Sequence, residues 1–210
     1  MARRRPRKRS YRKLSTREPY NRVLIVCEGS KTEPRYFNEI KRKFRLSATN
    51  VDVINQGASP ISVVTTALDR QKRELNLGEK YDIIFCVFDR DEHASYDRAS
   101  DIANAKNLKL ARSWPCFEFW LLLHFGYTRK PYERSGRVSP AEDCVNDLKK
   151  HLPNYKKAQH GLFRELEDRL EDAKANAQRT IDDGSKTNDF NPSTEIHTLV
   201  DCLQHLKTDA

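Results

Sequence analysis

Two stretches, Val23-Leu24-Ile25-Val26-Cys27 and Ile83-Ile84-Phe85-Cys86-Val87-Phe88, are apolar at every position, and each runs directly into a carboxylate. A strand that is apolar on both faces has to be covered on both sides, as in a parallel sheet flanked by helices. The first run continues as Glu28-Gly29-Ser30-Lys31-Thr32-Glu33 and the second as Asp89-Arg90-Asp91. Open α/β sheets gather their chemistry at the C-terminal ends of their strands. Glu28, Asp89 and Asp91 are therefore expected along one rim.

The segments between and around these runs fit such a sheet. Thr32 to Phe44 carries Tyr36, Phe37, Ile40 and Phe44 at helical spacing, with Thr32 as expected N-cap and Pro34 in the first turn. Val51 to Asn55 alternates as a strand. Ser59-Pro60 then starts a helix whose expected inner face is Ile61, Val64, Leu68 and Leu75, ending at Leu77-Gly78. Glu92 to Asn107 is helical in composition, and Leu108 to Ala111 is a short fourth strand. Strand, helix, strand, helix, strand with short breaks is the pattern of parallel strands joined by crossover helices.

From Pro115 the β signal ends. Phe117 to Phe125 is the most apolar run of the chain and reads as a buried helix in preference to a strand. Further helices are expected from Ser139-Pro140, over Leu162 to Ala177, and from Asn191-Pro192 with Ile196, Leu199, Val200, Leu203 and Leu206 on one side. Asp182-Asp183-Gly184-Ser185 reads as a linker or exposed loop. The organisation is thus a basic arm (1–20), an α/β core with a four-stranded, mostly parallel sheet flanked by helices (21–112), and a helical C-terminal part packed on it (113–210).

Composition separates the arm from the rest. The 210-residue chain has a formal net charge of +9 and is 33% charged against 37% hydrophobic. Arg3, Arg4, Arg5, Arg7, Lys8, Arg9, Arg12 and Lys13 crowd the first residues, where nothing apolar recurs. Such an arm is expected to be disordered alone and to contact nucleic-acid phosphates without regard to sequence; a solvated tail is the plainer reading. No apolar run approaches the about 20 residues of a membrane span, and no secretory leader pattern precedes the first strand, so a cytoplasmic protein is expected. Cys27, Cys86, Cys116, Cys144 and Cys202 are odd in number and lack a Cys-x-x-Cys pair. They read as reduced thiols used as small hydrophobes.

Oxygen-only ligation by Glu28, Asp89 and Asp91 would favour Mg²⁺ or Mn²⁺ over zinc; the plainer reading is that acids after strands are caps or loop residues. Lys31, in the turn after Glu28, is placed to touch a phosphate oxygen or to be solvated. Glu118 lies inside the apolar run and needs a partner: the acidic rim, a buried arginine such as Arg112, or solvent. His124 reads as a core histidine before a residue lining the site, and Trp114, Phe117, Phe119 and Trp120 read as core before a base-stacking platform. Lys156, Lys157 and Lys186 are further candidates for phosphate contacts, with surface lysine as the plain alternative.

A strand-terminal Glu-Gly followed about sixty residues later by a strand-terminal Asp-x-Asp resembles the Toprim catalytic domain of topoisomerases, primases and OLD-type nucleases. More narrowly, four stretches resemble the RloB-like proteins: Cys27-Glu28-Gly29-Ser30-Lys31-Thr32-Glu33-Pro34-Arg35-Tyr36-Phe37, Phe88-Asp89-Arg90-Asp91, Phe117-Glu118-Phe119-Trp120-Leu121-Leu122-Leu123-His124-Phe125 and Asn191-Pro192-Ser193-Thr194. The resemblance implies a Toprim-like fold in a prokaryotic protein of restriction and abortive-infection loci, often encoded beside an ATPase partner. It implies that Glu28, Asp89 and Asp91 hold Mg²⁺. Glu33 resembles the second acid of the OLD-type enzymes but lies one residue further on. Glu92-His93-Ala94 stand where the Toprim pattern usually has a glycine.

The expectation is a Mg²⁺-dependent nuclease acting on DNA or RNA in anti-phage defence, with Glu28, Asp89, Asp91, Glu33, Lys31 and Glu118 as site residues. No tyrosine announces itself as a nucleophile, which favours hydrolysis over strand transfer. The rival is a nucleic-acid-binding or sensor subunit of an ATPase-containing complex, with a structural acidic rim. A nucleotide phosphotransferase is disfavoured by the basic arm.

Overall fold

The computed structural model describes residues 21–47, 50–55, 59–90 and 94–206. The basic arm, Asp91 and the last residues, 207–210, lie outside them. Five strands form one sheet in the order β2-β1-β3-β4-β5. They are β1 (Val23–Cys27), β2 (Val51–Asn55), β3 (Ile83–Asp89), β4 (Lys109–Trp114) and β5 (Ser193–Thr194). β1 to β4 are parallel, and β5 is antiparallel to β4. The four expected strands are present; the fifth is an addition that only its pairing with β4 reveals.

The doubly apolar strands are explained by what covers them. Val23, Ile25 and Cys27 share one core with Tyr36, Phe37 and Ile40 of α1 (Thr32–Lys43). Leu24 and Val26 face the opposite way, into a second core with Val63, Val64 and Ala67 of α2 (Pro60–Asn76) and Ala99 and Ala103 of α3 (Tyr96–Ala105). All five residues of β1 are fully buried, which at about 1.5–3 kcal/mol per large apolar side chain makes this strand the main anchor of both layers. The expected caps hold at Ser59 and Ser139, whose side chains accept from the backbone N–H groups of Ser62 and Glu142. Thr32 instead begins α1, with Lys31 in the cap position.

The C-terminal helices join the α1 face. They are α4 (Glu118–Leu122), α5 (Pro140–His151), α6 (Leu162–Leu166), a 3₁₀ turn (Glu167–Arg169), α7 (Leu170–Thr187) and α8 (Ile196–His205). Trp120 and Phe163 pack around Tyr36, whose hydroxyl accepts from the Trp120 indole N–H at 2.9 Å. Among the described residues no helix is long and apolar enough to cross a membrane.

Several expectations are corrected. Asn191-Pro192 does not cap the last helix, since β5 follows it and α8 begins at Ile196 with Glu195 in the cap position. The helix expected over Leu162 to Ala177 is broken by the 3₁₀ turn at Glu167–Arg169. The stretch 182–185 is no linker, because α7 runs through it: a Cβ on Gly184 would stand 2.7 Å from the Phe190 ring, so this glycine serves close packing inside a helix. Leu75 lies 56% exposed beyond the buried stripe of α2, which consists of Pro60, Val63, Val64 and Ala67. Arg112 is not the partner of Glu118. Its guanidinium pairs with Glu195 through Nε at 2.8 Å and Nη2 at 2.5 Å, which ties β4 to the start of α8.

Candidate active site: an acid cluster at the β1–β3 crevice

β2 and β3 flank β1 on opposite sides, and α1 and α2 leave the sheet on opposite faces. The crevice beyond the C-terminal ends of β1 and β3 is thus the switch point where open α/β sheets bind ligands. Glu28 and Asp89 stand there. Paired strands hold them in register, Cys27 beside Val87. The Glu28 N–H continues the ladder to the Val87 carbonyl at 2.9 Å, and Glu28 Oε2 accepts from the Asp89 N–H at 3.3 Å.

Two further carboxylates join them. Glu33, in the first turn of α1, folds back over the β1–α1 turn and is only 8% exposed. A Cβ on Gly29 would fall 1.9 and 2.1 Å from its carboxylate oxygens, so the glycine is what lets Glu33 lie there. Glu118 enters from α4 and is 3% exposed. Its Oε1 accepts from the Tyr155 hydroxyl at 2.9 Å, and the Lys157 ammonium lies 3.8 Å away.

Crowding of like charge out of water shows in the proton affinities. Burial, then the charges of Glu33, Glu118 and Glu28, hold the Asp89 carboxyl well above the usual range, although the Phe117 backbone N–H donates to it. Glu33 is pushed up to about 7 by burial, with Glu118 and Glu28 adding to the shift, while its own backbone N–H and Lys157 oppose it. The Lys157 ammonium is in turn raised, first by Glu118 and also by Asp89 and Glu33. Lys157 thus faces Glu118, Asp89 and Glu33 together.

The remaining expected residues divide. Lys31 sits exposed in the turn, its carbonyl accepting from the Arg35 N–H. Asp91 and the arginines and lysines of the arm (Arg3, Arg4, Arg5, Arg7, Lys8, Arg9, Arg12 and Lys13) lie outside the described residues. Phe117, Phe119 and Trp120 are core, and the Arg90 guanidinium lies over the Trp114 ring at 4.1 Å. His124 is buried, its Nδ1 against the Trp120 carbonyl at 3.1 Å. Lys186 pairs with Asp183. Tyr155 was missed. It lies in a loop without periodicity, where the only available signal was an aromatic residue directly before the Lys156-Lys157 pair.

The donor set suits a hard divalent cation. Glu28, Glu33, Asp89 and Glu118 offer oxygen alone, and two are held at raised proton affinity by burial and then by their neighbours' charge, a penalty that a bound cation would offset. Among the described residues, no three His, Cys, Asp or Glu side chains are already arranged to hold a metal ion; Glu118 is turned to Tyr155 instead.

A mostly parallel sheet with helices on both faces, a strand-terminal glutamate on β1 and a strand-terminal aspartate on β3 define an α/β protein of Toprim-like arrangement. The chain belongs to the RloB-like protein family, whose model matches residues 23–203. No curated protein and no solved structure matches it.

Proposed function

We propose that this protein is a Mg²⁺- or Mn²⁺-dependent nuclease that hydrolyses phosphodiester bonds of DNA or RNA in prokaryotic anti-phage defence. The observation that carries the reading is the meeting of Glu28, Glu33, Asp89 and Glu118 at the β1–β3 crevice, two of them with proton affinities raised by burial and, after it, by the charge of their neighbours. Structural carboxylates are normally paired with cations or exposed to water; here Glu33 and Glu118 are buried and Glu28 and Asp89 half-buried, with Lys157 beside them, an arrangement that is costly unless it has a task.

Glu28 and Asp89, with Asp91, would hold the ion, and Glu33 and Glu118 would complete or flank its shell. Such an ion supplies charge to a scissile phosphate and lowers the pKa of bound water. The chain's own groups do the rest. Tyr155 orients Glu118, and Gly29 leaves room for the Glu33 carboxylate to lie over the turn beside Glu28 and Asp89. The basic arm would add affinity for the backbone of the nucleic acid. The RloB-like family and the resemblance to proteins of abortive-infection loci support the defence role and an ATPase partner.

One observation favours a second reading, a nucleic-acid-binding or sensor subunit without catalysis. The described carboxylates do not form a ready metal cage, and Glu118 is engaged by Tyr155 and Lys157. Incubation of the protein with plasmid, single-stranded DNA and tRNA in Mg²⁺, Mn²⁺ or EDTA separates the two. The nuclease reading expects metal-dependent cleavage that falls by at least about a hundredfold in Glu28→Ala and Asp89→Ala. Cleavage that survives EDTA or both substitutions would contradict it. Salt-sensitive binding lost on deleting residues 1–19, without cleavage, would establish the binding module.

A further inference from the structure

A loop from the C-terminal half reaches over the acid cluster, and it is fastened there. Between α5 and α6 the chain passes through residues 152–161, and Ala158 is gripped by both of its backbone groups. Its N–H donates to Thr32 Oγ1 at 3.0 Å, and its carbonyl accepts from the Arg35 guanidinium. Ala158 also adopts φ 65°, a left-handed conformation that a residue with a Cβ takes only where its surroundings impose it. Three residues on, Glu39 accepts from the N–H groups of Gly161 and Phe163 at 2.6 and 2.9 Å. α1, which begins at the end of β1, thus holds the loop from two of its turns.

The fastened segment delivers Tyr155 inward and Lys157 to the mouth of the cluster. Tyr155 is 3% exposed and satisfies Glu118 as a neutral donor. The Lys157 side chain, by contrast, is 68% exposed while its ammonium stands 3.8 Å from the nearly inaccessible Glu118 carboxylate. An ion pair so open and so long contributes little to stability. Its position matters more: it is a positive charge at the solvent side of the acid cluster, on a loop pinned beside it.

We infer that Lys157 serves as counter-ion of the acid cluster while no divalent ion is held there, and grips a phosphate of the nucleic-acid backbone once one is. This rests on the divalent-ion reading above. A cation entering among Glu28, Glu33, Asp89 and Glu118 competes with the ammonium for the same carboxylates. Lysine and metal are therefore antagonists by linkage, each weakening the hold on the other. Released, the ammonium is a compact, mobile point charge at the rim, suited to a phosphate oxygen. Lys157 then couples metal loading to substrate grip, and the cluster stays closed to phosphate until the metal is in.

The full-length protein and its Lys157→Gln and Lys157→Arg variants test this in two titrations. The first adds MnCl₂ alone, followed calorimetrically. The second adds a fluorescent single-stranded oligonucleotide to protein saturated with Ca²⁺, which takes the same oxygen ligands. For Lys157→Gln the expectation is Mn²⁺ bound about fivefold tighter and oligonucleotide bound about fivefold weaker, the lower end of ordinary coupling between sites. Lys157→Arg should stay near the parent in both. Lys156→Gln, which removes an equal charge one residue away, controls for the general loss of positive charge and should stay near the parent in both; equal shifts in the two variants would overturn the inference. If the parent takes up Mn²⁺ but Lys157→Gln binds it no tighter, or the oligonucleotide affinity is unchanged, the inference is wrong and the metal reading stands. If the parent takes up no Mn²⁺, both fall.

Discussion

His124 shows at the scale of one residue how the hydrophobic run that carries Glu118 is kept dry. It stacks edge-on against Trp120 at 4.8 Å, and its Nε2 is buried without a hydrogen-bond partner. Burial lowers its pKa from 6.5 to about 4, with Arg169 adding to the shift against two backbone carbonyls. The folded pKa is below the unfolded one, so this group contributes its full stability above about 6.5, and the contribution is lost as the pH falls toward 4. Between pH 7 and 4.5 the loss amounts to roughly 2 kcal/mol. Urea unfolding over that range should show a decline that is shallower by about this amount in His124→Gln, whose side chain cannot take up the proton. Equal declines in parent and variant would show that the ring is not buried as described. Raised carboxylates such as Glu33 push the other way, gaining stability as the pH falls through about 7, and they cancel in the comparison because both proteins carry them.

At the scale of elements, the turn between β1 and α1 is where sequence and site meet most closely. Glu28 and Asp89 were legible because a fully apolar run that stops at an acid leaves that acid at a strand end, whatever the distant contacts. Glu33 was legible as a residue but not as a neighbour, since its one-residue offset says nothing about a side chain folding back across Gly29. Gly29→Ala would place a Cβ within about 2 Å of that carboxylate. The protein should still fold, and the rise in melting temperature produced by Mg²⁺ should shrink by an amount equivalent to about tenfold weaker binding. An undiminished rise would remove Glu33 from the metal site. Elements defined by distant partners were the least legible. β5 is two residues long and exists by pairing with β4, where the Ser113 and Thr194 hydroxyls meet at 3.0 Å. Residues 182–185 read as a linker or loop because a sequence does not display Phe190 packed against Gly184.

Over the whole molecule, two cores share one sheet but have different duties. The core with α2 and α3 is built from residues 24–108 and is local in sequence. The other joins β1 and α1 to Phe117, Trp120, Tyr155, Phe163 and α8, and through it the C-terminal half brings Glu118, Tyr155 and Lys157 to the rim. This explains what the sequence could not show. An α/β core with acids at two strand ends can be read from local patterning, whereas the second half of the site depends on a helix start and a pinned loop about 90 and 125 residues beyond Glu28. Family membership spans both halves, over residues 23–203, as it should if the site needs both.

The central claim is that the acids at the ends of β1 and β3 hold a divalent ion. A crystal of the full-length protein grown with MnCl₂, with anomalous diffraction recorded at the manganese edge, tests it directly. The account predicts an anomalous peak within about 2.3 Å of carboxylate oxygens of both Glu28 and Asp89, absent in Asp89→Ala. A crystal with manganese bound elsewhere and none between these two residues would contradict it.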